Sequence, residues 1–208
     1  MGEKSNEIES ALLAGMKDSM PIVRFEAAKA FWLLRPDPAI VVPVLISVLP
    51  TQEGWQAAYA LANIGTAAAP AVPALIDVLK REKVSRAFRT PPSSSFALGQ
   101  IREPAIPALV EVLNHPQPAV RLAAILAFNF MGKHACSAVP ELTKLLRDPE
   151  AEVRNVTAIT LASAGAERAV VFASLKECLS AEDIYLRSTA AALLREIAPE
   201  QDWIVPPE

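Results

Sequence analysis

The sequence is poor in the residue types that most active-site chemistry requires. Among its 208 residues stand only two histidines and two cysteines, and Phe, Trp and Tyr together make up 6%. Cys136 and Cys178 lie far apart with no CxxC spacing, so neither a zinc cluster nor a redox pair is indicated. His115 and His134 have no ligand partner one helical turn further on, as a helix-borne metal site needs. No G-x-S-x-G surrounds any serine, and no G-x-x-x-x-G-K-[ST] phosphate loop is present. A basic excess is also missing: 20 Lys and Arg stand against 23 Asp and Glu, which argues against a general nucleic-acid binder. No apolar run approaches the length of a membrane span. The opening "MGEKSNEIES" has no apolar signal core, and Asn6 replaces the Ser or Thr of a myristoylation motif. The expectation is a cytoplasmic protein in a reducing compartment, with no cofactor, metal or membrane partner.

What is abundant is small and aliphatic. The composition is 52% hydrophobic, mostly Ala, Leu, Val and Ile, which favours helix. These residues recur. "PAVRLAAILAFNFMG" (118–132), "AEVRNVTAITLASAG" (151–165) and "IYLRSTAAALLREIA" (184–198) place Arg121, Arg154 and Arg187 33 residues apart, and "PIVRFEAAKAFWLLR" puts Arg24 in the same slot. "EGWQAAYALANIG" and "PPSSSFALGQI" align through Leu61 and Leu98. A second series interleaves: "VPVLISVL", "VPALIDVL", "IPALVEVL" and "VPELTKLL", with Pro43, Pro73, Pro107 and Pro140 spaced 30, 34 and 33. "FASLKECL" carries Ala173 in the proline slot, and "ESALLAGM" carries Ser10. Both series have helical spacing. In the first, Asp18, His115 and Asp148 are expected as N-caps, Pro149 at the first helical position, and Gly65, Gly132 and Gly165 as terminators. In the second, the proline belongs to the first turn. Helical pairs this short bury their apolar faces only by stacking on their neighbours.

The pattern D-x-x-x-x-V-R-x-x-A-A-x-A-L-x-x-I-G followed by A-x-P-x-L-x-x-L-L resembles HEAT repeats, and most closely the short bacterial kind named after phycobilisome-lyase subunits. The resemblance spans roughly residues 7–198. It implies an all-α fold: an α-solenoid, or superhelix, of about six HEAT-like helix pairs, roughly twelve helices. The repeats would fall near 18–50, 51–82, 83–114, 115–147, 148–180 and 181–198, after a half-repeat at 7–17 and before a tail at 199–208. It further implies that second helices line a concave, partner-binding face, and that the arginine slot engages acidic groups near adjoining helix starts. The family also includes a metal-dependent hydroxylase with His-Glu pairs, but no "HE" occurs here.

Several residues remain as candidates. Cys178 occupies a core slot filled elsewhere by Val48, Val78, Val112 and Leu145, and Cys136 fits a packed position that holds alanine in other repeats. His115 fits a helix cap and His134 an exposed turn. The outward column of the second helices reads Ser47, Asp77, Glu111, Lys144 and Glu177, mostly acidic, which disfavours a nucleic-acid groove. It is either a solvated face or an attractor for a basic protein. Repeat 3 is lengthened by "KREKVSRAFRTPP", where Lys80, Arg81, Lys83, Arg86 and Arg89 surround the single acid Glu82, with Phe88 among them. This basic insertion is either a solvated loop or the edge of a binding surface. Pro91 stands in the arginine slot, so the third first-type helix should lack its opening turns, and its serines read as packing residues. Trp203, Ile204 and Val205 either cap the terminal repeat or form a short partner motif. The resulting expectation is a non-enzymatic adaptor for a protein partner. The alternative, implied by the resemblance, is a subunit of a bilin or tetrapyrrole chromophore lyase or a related pigment-handling complex.

Overall fold

Six segments share one burial pattern counted from the arginine slot. The third, fourth and seventh residues after it are Ala27, Ala28 and Phe31 in the first copy, then Ala57, Ala58 and Leu61, then Ser94, Ser95 and Leu98. Ala124, Ile125 and Phe128 follow, then Thr157, Ala158 and Leu161, and finally Ala190, Ala191 and Leu194. Every one of these side chains is buried. The spacing places them on one side of a helix, and that side is the core stripe of each repeat.

The structure is a computed structural model and describes residues 2–82, 92–165, 168–180 and 184–197. All regular structure among these is helical. Second-type helices are α1 (Gly2–Gly15), α3 (Pro38–Val48), α5 (Val72–Leu79), α7 (Ile106–Val112), α9 (Val139–Lys144) and α11 (Arg168–Cys178). First-type helices are α2 (Pro21–Leu34), α4 (Gly54–Ile64), α6 (Ser93–Ile101), α8 (Pro118–Met131), α10 (Ala151–Ser163) and α12 (Ile184–Ile197). The all-α repeat architecture expected from the sequence is thus the one observed. As Pro91 foretold, α6 is cut short: it has 9 residues where α2 and α8 have 14.

The chain divides into two compact units, the first holding the described residues up to 82 with 92–108, the second those from 109 onward. In the first unit α1 packs on α2, α2 on α3, α3 on α4 and α4 on α6. In the second α8 packs on α10, and α10 in turn on α11 and α12.

The prolines Pro73, Pro107 and Pro140 stand in the first turns of α5, α7 and α9, where no intrahelical N–H is lost. Pro43 departs from the expectation. Asp37 caps α3 through its side chain, Pro38 opens the helix, and Pro43 lies inside it. The cap positions also differ from the sequence reading. Asp18, His115 and Asp148 stand two residues before the N-cap residues Met20, Gln117 and Glu150. Their side chains accept the N–H of that residue at 2.8, 3.2 and 3.0 Å, so they shape the turn into the helix and leave the helix's own first turn uncapped. Pro149 accordingly precedes α10 by two residues and does not open it.

The arginine slot works on these same turns. Nη1 of Arg24, Arg121 and Arg154 donates to the backbone carbonyls six and five residues earlier: Asp18 and Ser19, His115 and Pro116, Asp148 and Pro149. Each guanidinium therefore ties its helix to the connection that leads into it.

Two continuous stretches, Gly54–Leu79 and Pro118–Arg147, do reach the length and mean hydropathy (1.4 and 1.3) of a membrane span, contrary to the sequence expectation. Each joins a first-type helix to the following second-type helix through a 3-10 turn, Gly65–Ala71 or Gly132–Ala138. The chain changes direction there at a glycine with φ of +70° or +56°. Their apolar content is the paired core stripes of a repeat. Cys178 is buried as expected, and burial pushes its thiol pKa up, with Arg154 opposing and Glu177 adding to the shift. Cys136 is exposed, not packed.

Candidate partner-binding groove

Adjacent first-type helices lie against each other where α4 meets α6, where α8 meets α10 and where α10 meets α12. Between α2 and α4 that contact is all but absent. The space left over is a groove of about 490 Å³. Phe25, Glu26, Lys29, Trp32 and Leu33 of α2 form one wall, and Trp55, Gln56, Tyr59, Ala60, Asn63 and Ile64 of α4 form the other. Val41 and Leu45 of α3 make the floor.

Local sequence explains the walls. Trp55, Tyr59 and Asn63 follow one another at four-residue spacing, so they stand in a row along α4. Gly54 lets that helix begin hard against the end of α3, since a Cβ there would lie 2.2 Å from the Leu49 carbonyl oxygen. The row continues onto α6. Trp55 meets Tyr59 edge-on at 6.2 Å between ring centroids, and Tyr59 meets Phe96 at 5.4 Å. Leu33 is 79% exposed and Trp55 57% exposed. A side chain of that size forgoes about 1.5–3 kcal/mol by staying in water. The two charged residues of the lining, Glu26 and Lys29, pair with each other at 3.3 Å, and Lys29 also lies over the Phe25 ring. The groove is therefore apolar inside and close to neutral at its rim.

The repeat assignment has independent support. A family model described as HEAT repeats matches residues 94–162, and one described as PBS lyase HEAT-like repeat matches residues 55–81. Over those two stretches the chain matches HEAT repeats. Among solved structures, an engineered protein of the Northeast Structural Genomics Consortium is similar at 20% identity and a TM-score of 0.47, over 93% of this chain and 97% of the other. The complex of CpcE and CpcF of phycocyanin lyase from Nostoc sp. PCC7120 is similar at 23% identity and a TM-score of 0.46, over 91% and 76%. A second engineered protein of the same consortium matches at 22% identity and a TM-score of 0.45, over 92% and 58%. No curated protein matches the sequence.

The candidates read from the HEAT pattern fall elsewhere on the molecule. Asp77 and Arg81 are exposed at the end of α5, where Arg81 Nε donates to the Asp77 carbonyl at 2.9 Å. Glu111, Lys144 and Glu177 are exposed on α7, α9 and α11, and Lys144 pairs with Glu141 at 2.7 Å. Lys83, Arg86, Phe88 and Arg89 lie outside the described residues, as do Trp203, Ile204 and Val205. Within that basic insertion, however, Glu82 makes contacts that the sequence reading missed. Glu82 accepts Ser93 Oγ at 2.7 Å and the Ser94 backbone N–H at 3.3 Å, together with a short bond from Ser94 Oγ. Its carboxylate caps the start of α6, where negative charge is favoured. The serines thus hold an acid in place at the start of that helix.

The groove residues escaped the sequence reading because attention to charge favours the second helices. The available signal was the aromatic pair Trp55 and Tyr59 one turn apart, off the Ala57-Ala58-Leu61 core stripe. In a chain with 6% aromatics, two large rings on a helix's outer side mark a surface.

Proposed function

We propose that this chain is a non-catalytic scaffold that binds a protein partner. The groove between α2 and α4 is the observation that supports this reading. An apolar trough with exposed tryptophan, tyrosine and leucine, edged by polar groups, has the composition of a protein-binding surface. Asp77 and Arg81 of the first unit, Glu111, Lys144 and Glu177 of the second, and Lys83, Arg86, Phe88 and Arg89 of the basic insertion are kept as separate candidate contacts that would steer or extend binding.

A second reading, a subunit related to pigment lyases, is favoured by the match of residues 55–81 to the PBS lyase HEAT-like repeat. That match includes α4 and therefore one wall of the groove. One experiment separates the alternatives. The chain is isolated with its native partners alongside two variants, Leu33→Glu with Tyr59→Glu, and Arg86→Glu with Arg89→Glu. The scaffold reading expects a stoichiometric protein partner that is lost from the first variant. Loss confined to the second variant would move the site to the basic insertion. A visible absorption band that travels with the wild type, without any protein, would favour the pigment reading.

A further inference from the structure

We propose, on the basis of the scaffold reading, that the groove between α2 and α4 receives one α-helix of the partner, laid in through an uncharged apolar stripe. Each first-type helix of the first unit would otherwise be expected to touch the next, as α4 touches α6. The sparse approach of α2 to α4 leaves a trough that has helical walls on both sides and a helical floor in α3. Such a trough accepts side chains that recur at three- and four-residue intervals.

Charge decides the occupant's chemistry. Glu26 and Lys29 neutralise each other within the wall, and the other lining residues are uncharged. An acidic or basic segment therefore meets no compensating charge here, and an ionised side chain pressed into the trough would be desolvated without a partner. Gln56 and Asn63 offer amide donors and acceptors on the α4 wall. They suit a helix whose apolar stripe is bordered by neutral polar residues. An extended peptide is a poorer fit. It needs backbone partners along its length, and helical walls keep their own N–H and C=O groups bonded internally.

The test uses the full chain carrying Trp203→Phe, so that emission reports only Trp32 and Trp55. Two displayed peptide libraries are selected against it, one of helix-constrained peptides and one of linear proline-rich peptides that cannot form helix. The expected result is enrichment from the helical library alone, with uncharged apolar residues at i, i+4 and i+7. Their binding should shift Trp emission to shorter wavelength and fall roughly tenfold or more in Leu33→Glu and in Tyr59→Glu. Circular dichroism on both variants should match the parent. Enrichment from the proline-rich library, with the same sensitivity to Leu33→Glu, would overturn the helix and leave the scaffold reading standing. Helical ligands with charged stripes, or insensitive to both variants, would overturn the proposal. Concentration-dependent self-association abolished by Leu33→Glu would assign the groove to a second copy and overturn it as well.

Discussion

Arg24 and Arg121 occupy the same slot in two repeats, and their surroundings differ. Arg121 Nε and Nη2 grip both oxygens of Asp148 at 2.8 and 2.7 Å, and the two side chains are 9% and 4% exposed. Arg24 instead reaches Ser47, with Nε donating to Oγ at 3.2 Å and Nη2 to the carbonyl at 3.4 Å, in an exposed setting. Both arginines hold the turn into their own helix. Only Arg121 also bonds the turn that leads into the next first-type helix, α10, which lies directly against α8. Among the described residues, no such ion pair spans the groove between α2 and α4. The same residue in one column thus forms a buried ion pair in one repeat and neutral, exposed bonds in another, according to the side chain 27 residues further on: Asp148 after Arg121, Thr51 after Arg24.

The largest expected effect breaks the closed junction. Asp148→Ala strands a buried guanidinium and should cost about 3–5 kcal/mol in denaturant unfolding, whereas Arg24→Ala, losing exposed neutral bonds, should cost about 1 kcal/mol. Equal costs for the two would mean that the buried ion pair holds its junction no more firmly than the exposed bonds hold theirs. Next comes the start of α4. Gly54→Ala drives a methyl into the Leu49 carbonyl and should cost about 1–3 kcal/mol, with a change in Trp55 fluorescence because the groove wall shifts.

A smaller effect of opposite sign is expected at Arg102. It ends α6 with φ 66° and ψ −135°, beside 70° and −138° at Gly65 and 56° and −130° at Gly132. An arginine thus stands in a conformation suited to glycine, and Arg102→Gly should stabilise by about 1 kcal/mol in the same unfolding assay. The smallest effect concerns Cys178. Its folded pKa is raised above the ordinary 9.0, so the stability it contributes is full below that value and is lost as pH rises from there through the folded pKa. Relative to Cys178→Ala, the wild type should therefore weaken in alkaline solution above roughly pH 9. Exposed Cys136 should meanwhile react with a thiol reagent long before Cys178 does.

The periodic part of the molecule was legible because each repeat buries the same three positions, and a 33-residue period exposes that regularity directly. The truncated third helix was legible too, since Pro91 cannot continue a helix backwards. The exact cap positions were not. Asp18, His115 and Asp148 each sit one turn-forming step too early, and only geometry tells a residue that shapes a turn from one that caps the helix after it. Arg102 was hidden because a positively charged residue at a helix end satisfies the usual electrostatic preference while violating the backbone one. The groove was hidden for a deeper reason. It lies where α2 and α4 approach each other only sparsely, and a sequence pattern records the close packing that recurs from repeat to repeat.

The Glu82 carboxylate at the start of α6 has one further consequence. It belongs to the single acid of the basic insertion and binds Ser93 and Ser94, the first two residues of the next helix. The start of α6 is therefore held by a carboxylate eleven residues earlier in the chain, just beyond α5, so side-chain bonds fix where this shortest of the first-type helices begins.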